Sequence, residues 1–195
     1  MTTGATSASI VNQALQEIAA QATVSGTNPN FDGTTAGNAA GILYTPLLNE
    51  LLRQEDPEFA RKTALAGGAV LTSTGTTPAQ PWSYEYEYPS DCLRVRQVVP
   101  GSWDQNNPQP VRWSVGTDTI SDVQTKVIFC NAPTALLTYT TSNITEAEFD
   151  SMFQEAFVRL LASALVMALG GRPDFSKEKL MEAGALANAG VGRDS

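Results

Sequence analysis

A chain of 195 residues, 42% hydrophobic and 16% charged, is long enough to bury a core without disulfide or metal staples. Its 12 Lys and Arg against 20 Asp and Glu give a net charge of −8, which argues against wrapping DNA or RNA, because neutralising phosphates draws on cations. The sequence has no histidine, which removes Ser-His-Asp and Cys-His catalysis and every imidazole metal ligand.

Residues 8–22 place Ile10, Val11, Ala14, Leu15, Ile18 and Ala22 on one helical face, with Ser7 or Ser9 as cap. A loop rich in Gly, Asn and Thr follows over 24–35. A second helix is expected from Ala36 to Gln54, striped by Leu43, Leu47, Leu48, Leu51 and Leu52. Pro46 inside it predicts a kink, or a restart capped by Thr45. Residues 56–68 predict a short helix with Pro57 in its first turn and Gly67 and Gly68 at its end.

From 69 to 141 the period changes to two. Strands are expected at 69–72, 82–88, 93–99, 111–115, 126–130 and 135–141, with a long turn over 101–110. The most patterned stretch is W82-S-Y-E-Y-E-Y88, in which Trp82, Tyr84, Tyr86 and Tyr88 alternate with Ser83, Glu85 and Glu87. Interleaved acids repel phosphate, so the pattern predicts a strand with one core-facing aromatic side and one acidic side.

Helical spacing returns at I144-T-E-A-E-F149, where Thr145 and Glu148 form a capping box and Ile144 and Phe149 a hydrophobic staple. That helix should run to about Leu169 and stop at Gly170, Gly171 and Pro173. Its longest apolar run, 160–169, is too short to span a bilayer. A weaker last helix is expected from Ser176 to Asn188, carrying Phe175, Leu180, Met181 and Leu186, with Arg193 in a tail that frays unless a partner orders it. These residues either pack back on the helices or meet a partner groove. The expected fold is α+β: a mostly antiparallel helical bundle, residues 1–66 and 145–195, with a small antiparallel β-sheet or sandwich inserted over 67–144.

No residue pattern calls for chemistry or a cofactor. There is no phosphate-binding G-x-x-x-x-G-K-[ST] loop. Cys92 and Cys130 cannot form a zinc site alone and read as buried free thiols rather than a disulfide. Glu85, Glu87, Asp91, Glu146, Glu148 and Asp150 each fit a strand surface, a turn or a helix start better than a catalytic pair. No leader is read, so the chain is expected to be soluble and made in a cytoplasm. Two alternatives stand beside a structural role. One is a carboxylate-dependent cell-envelope hydrolase using Glu146 and Glu148. The other is a glycan-binding module using Tyr84 and Tyr86.

Four stretches in order carry a resemblance: S9-I-V-N-Q-A-L-Q-E-I18, L51-L-R-Q-E-D-P-E-F-A-R-K-T-A-L65, W82-S-Y-E-Y-E-Y-P-S-D-C-L-R-V95 and F149-D-S-M-F-Q-E-A-F-V-R-L-L-A-S-A-L165. Together they resemble the head-to-tail connector proteins of tailed bacteriophages, the portal adaptor or tail-tubular-protein-A type. Glu58 stands where that family often carries a tryptophan. The resemblance covers roughly residues 8–172 and implies a non-enzymatic subunit of a ring, commonly of twelve copies. Such a ring sits at the head–tail junction of the virion between the portal and the next tail component. It extends the channel through which DNA passes without sequence-specific contact, and it takes no membrane or cofactor. Phe175, Leu180, Met181, Leu186 and Arg193 are then the expected portal contacts.

Overall fold

The structure, a computed structural model, describes residues 5–63, 71–78, 80–101, 109–171 and 173–191. Helices take 41% of the residues and antiparallel strands 26%, so the fold is mixed α+β. The chain divides into two compact units, Met1–Phe59 with Ile144–Ser195, and Ala60–Asn143.

In the first unit, α1 spans Ser7–Glu17. Its cap is Thr6, whose hydroxyl accepts the Ser9 N–H at 3.2 Å while the Ser9 hydroxyl accepts the Thr6 N–H at 2.9 Å. Ile10, Val11, Ala14 and Leu15 are buried as their spacing requires. The helix ends before Ile18 and Ala22, the last expected face residues. Ala19 turns to φ 52° and Ala20 donates to the Leu15 carbonyl at 3.0 Å, a Schellman-type stop made without glycine. The side chain of Asn12 then holds the returning loop, bonding the Val24 N–H at 2.7 Å and its carbonyl at 2.9 Å. Strands β1 (Gly26–Thr27) and β2 (Asn30–Phe31) pair within that loop.

Helix α2, Thr35–Glu55, is capped by Thr34 and passes through Pro46 without a break. Pro46 and Ile42, one turn apart, both face solvent, so water can serve the carbonyl that proline leaves unpaired. Its largest fully buried residue is Tyr44, and Leu52 is fully buried with it. The ring meets Phe157 edge-on at 5.0 Å, and the hydroxyl donates to Glu146 Oε1 at 3.1 Å. Burial first, and Glu146 second, push the Tyr44 hydroxyl pKa well above its ordinary value.

Over 56–63, the described part of the helix expected at 56–68, no α-helix forms. Asp56 takes φ 50° and closes α2, leaving one 3-10 turn, Glu58–Ala60. Phe59 in that turn packs on Phe149 and Phe153 at 5.7 and 5.0 Å. The chain then enters β3, Arg61–Lys62, and Ala64–Gly68 lie outside the described residues.

The capping box forms but caps less than expected. Glu148 Oε2 accepts the Thr145 N–H at 2.6 Å, closing a 3-10 turn over Glu146–Glu148. Extended backbone at Phe149 breaks it, and α3 (Ser151–Ala168) starts under a second cap. There Asp150 Oδ1 accepts from Met152 and Phe153 at 2.9 and 2.8 Å. α3 packs against α1, α2 and the last helix, α4 (Pro173–Val191). α3 is long and apolar enough to cross a bilayer, but by length and composition only, and half of it is buried inside the protein. Fully buried Phe157 alone contributes about 2–3 kcal/mol. Pro173 opens α4 where no N–H is required, ahead of the expected start at Ser176.

The second unit holds β3, β4 (Tyr84–Glu87), β5 (Cys92–Pro100), β6 (Trp113–Ile120), β7 (Val123–Cys130) and β8 (Ala135–Thr141). They form two antiparallel sheets, β3-β8-β5 and β4-β7-β6. One core lies between them, built from Tyr86, Val95, Val98, Ile128, Leu137 and Tyr139 among others. A bulge between Val95 and Gln97 shifts the register of β5, so residues three apart, Val95 and Val98, both reach the core. Of the strand expected at 69–72, Ala69 and Val70 lie outside the described residues. Leu71 and Thr72 bond as a connector instead: Leu71 donates to Ala135 at 2.9 Å and Glu87 donates to Thr72 at 2.8 Å. Most of the turn expected over 101–110 also lies outside the described residues.

Candidate functional site

Polar contacts fix α4 on its neighbours. The Ser163 hydroxyl donates to the Ser176 carbonyl at 2.9 Å, and the Ser176 hydroxyl returns the bond to the Ser163 carbonyl at 3.0 Å. Lys179 reaches Glu17 of α1 at 2.8 Å and Glu182 at 3.1 Å. Arg159 of α3 joins Glu182 at 2.9 Å and Glu155 at 2.6 Å. Its side chain is only 12% exposed, so Lys179 holds its partners more firmly than an ordinary surface pair. Bonding to Glu17, then Glu182, raises the Lys179 pKa, and Lys179 in turn holds the Glu182 carboxyl below its usual value. Ala183 supplies the buried apolar contact.

That clamp leaves Leu180 and Met181 of α4 facing solvent. Leu180 is 52% exposed and Met181 75%. Leu186 is half-buried. Arg193 and the side chain of Phe175 lie outside the described residues. So Leu180 and Met181 share an open face, Leu186 sits partly under cover, and α4 is packed against its bundle and presented to solvent at once.

The aromatic strand is scaffold. Tyr86 is buried, and its hydroxyl donates to the Ala132 carbonyl, with burial pushing its pKa up to about 12. Tyr84 is 38% exposed, so the two rings do not form one accessible platform. The expected acidic side is only half present. Glu87 is exposed, but Glu85 is 1% exposed, because residues 72–76 run along the edge of β4 and lay Thr76 over it. The Thr76 hydroxyl donates to Glu85 Oε1 at 2.7 Å, and Glu85 Oε2 is buried without a partner.

Asp91, just before β5, ties β3 and β8 of one sheet together. Its carboxylate accepts from Lys62 Nζ of β3 at 2.6 Å and from Tyr139 and Thr141 of β8 at 3.0 and 2.7 Å. Its carbonyl accepts the Ser142 N–H at 2.8 Å. Burial pushes the carboxyl pKa up, but the donors, Lys62 first, outweigh it and leave it below the usual value. Beside it, Lys126 lies 3.7 Å over the Tyr88 ring.

Of the acids weighed as a catalytic pair, Glu146 bonds Tyr44, Glu148 bonds Thr145 and Asp150 caps the start of α3, while Glu87 is exposed. Cys92 and Cys130 are free and buried, and burial raises both thiol pKa values. Among the described residues no group of three or more His, Cys, Asp or Glu could hold a metal. An open groove of about 530 Å³ lies between α1 and α3, lined by Gln13, Gln16, Gln154 and the already paired Glu17 and Glu155. The i,i+4 spacing of Glu155 and Arg159 and the i,i+3 spacing of Lys179 and Glu182 were the only signals in the sequence of the clamp on α4. No protein-family model matches the chain, and no curated protein matches it.

Proposed function

We propose that the chain is a structural subunit of the ring that joins capsid to tail in a tailed bacteriophage. The observation that carries the proposal is the face of α4. A helix anchored by three polar partners on its neighbours, Ser163, Arg159 and Glu17, exposes Leu180 and Met181, which suits protein docking rather than catalysis. The order of the four resembling stretches supports the same reading. In it the helical unit is a mostly antiparallel bundle that docks on the portal, and Ala60–Asn143 is the inserted β part.

Mechanism here is assembly. Copies pack head-to-tail and the ring closes by rotation, commonly at twelve. A net charge of −8 suits a channel wall that lets DNA slide without adhering. The subunit needs no cofactor and performs no reaction, assembles in the host cytoplasm and ends at the head–tail junction of the virion. It is tested by mixing the purified chain with the portal protein of the same phage and measuring complex mass. The expected result is a complex that weakens in L180S/M181S. A chain that stays apart from the portal at every concentration overturns the reading.

A further inference from the structure

The segment that borders β4 is pinned at both ends by buried side chains. Leu71 is 6% exposed, and its N–H meets the Ala135 carbonyl of β8 at 2.9 Å. Pro78 is buried as well. Between these pins none of residues 72–77 is buried, and only Thr74 is half covered. They lie along β4 as a strap.

Among the described residues, four bonds hold the strap to β4. The Thr74 N–H and hydroxyl donate to the Glu85 carbonyl at 3.2 and 3.5 Å. The Glu87 N–H donates to the Thr72 carbonyl at 2.8 Å, and the Thr76 hydroxyl to Glu85 Oε1 at 2.7 Å. The turn of the strap bonds itself. Gly75 takes φ 77°, the Ser73 hydroxyl accepts the Gly75 N–H at 3.2 Å, and the Thr74 hydroxyl accepts the Thr76 N–H at 3.3 Å. These internal bonds survive if the strap lifts, so it moves as a unit.

Against that hold stands Glu85. Its side chain is 1% exposed, one hydroxyl meets Oε1, and Oε2 is buried with no partner. A carboxylate kept from water without a counter-charge is costly, and a single hydroxyl does not offset the cost. Lifting the strap returns water to Glu85 and uncovers no buried side chain of residues 72–77. β5, β7 and β8, by contrast, each bury core residues. The strap is therefore where the β unit opens first.

We propose that residues 72–77 are a latch that opens and recloses between Leu71 and Pro78 while both sheets stay folded, and that the buried Glu85 sets how often it opens. The open latch frees the Glu85 carbonyl and the Glu87 N–H, the outer edge of β4. The closed latch denies that edge to any other strand. All of its parts lie in Ala60–Asn143, and the inference does not depend on the connector reading.

Native-state hydrogen exchange on the full chain tests it. The Thr74 and Glu87 amides report the strap, and those of Val127–Cys130 report β7, the central strand of its sheet. The strap amides should exchange about a hundredfold faster than the β7 amides. E85Q keeps the oxygen that Thr76 meets and removes the charge. It should slow the strap amides about tenfold and leave β7 unchanged. T76V removes the donor to Oε1 and should speed the strap amides about tenfold, again without effect on β7. Strap amides as well protected as β7 in the native chain would overturn the latch. So would variants that move both sets of amides together, or that move neither.

Discussion

Replacing Asp91 by alanine removes one carboxylate from three donors at once. Tyr139 and Thr141 are each 3% exposed, so water cannot replace the acceptor they lose. Each orphaned hydroxyl costs about 1–3 kcal/mol. The Lys62 side chain is 42% exposed, so its ion pair adds no more than about 1 kcal/mol. Together D91A should lose about 4 kcal/mol, and D91N, which keeps one acceptor oxygen, about 2 kcal/mol. All three tryptophans, Trp82, Trp103 and Trp113, lie in Ala60–Asn143, so tryptophan emission during urea unfolding reports that unit. The sign with pH follows from the lowered Asp91 pKa. Its stabilisation is present above the ordinary value of 3.8 and is lost as pH falls through the lower folded value. The gap between the native chain and D91A should hold at neutral pH and close in that acid window. A loss under about 1 kcal/mol for D91A would refute Asp91 as the tie between β3 and β8.

Y44F removes the bond to Glu146 and keeps the ring on Phe157, so it should cost about 1 kcal/mol by thermal or urea unfolding. G116A should destabilise the β unit by about 1–3 kcal/mol, read by tryptophan emission, because a new Cβ would lie 2.6 Å from the Phe129 ring. Cys92 and Cys130 should resist alkylation in the native chain and react once urea unfolds it. L180S/M181S should leave unfolding within about 0.5 kcal/mol of the native chain while portal binding falls, since both side chains face solvent.

Periodicity made the elements legible where one face is buried. The spacing of Ile10, Val11, Ala14 and Leu15 and the β-branched run of β8 needed no further information. The starts and stops were less legible, because competing local chemistry set them. An alanine ended α1 in the left-handed region, and Asp150 displaced Thr145 as the cap of α3. β6 was read only to Val115 because the Thr-Asp-Thr run at 117–119 offers no apolar residue on either face, so the period-two signal is lost before Ile120. Glu85 looked like a solvent-facing acid, since nothing in YEYE reveals that residues 72–76 cross over it. The open face of α4 was half visible. Leu180 and Met181 could be singled out by type, but their exposure follows from a clamp that spans three helices.

The connector account is tested most directly by electron micrographs of the full chain mixed with the portal protein of its own phage. It predicts a second ring stacked coaxially on the portal, with copies joined side by side. Bare portal rings beside dispersed single copies of the chain would contradict it.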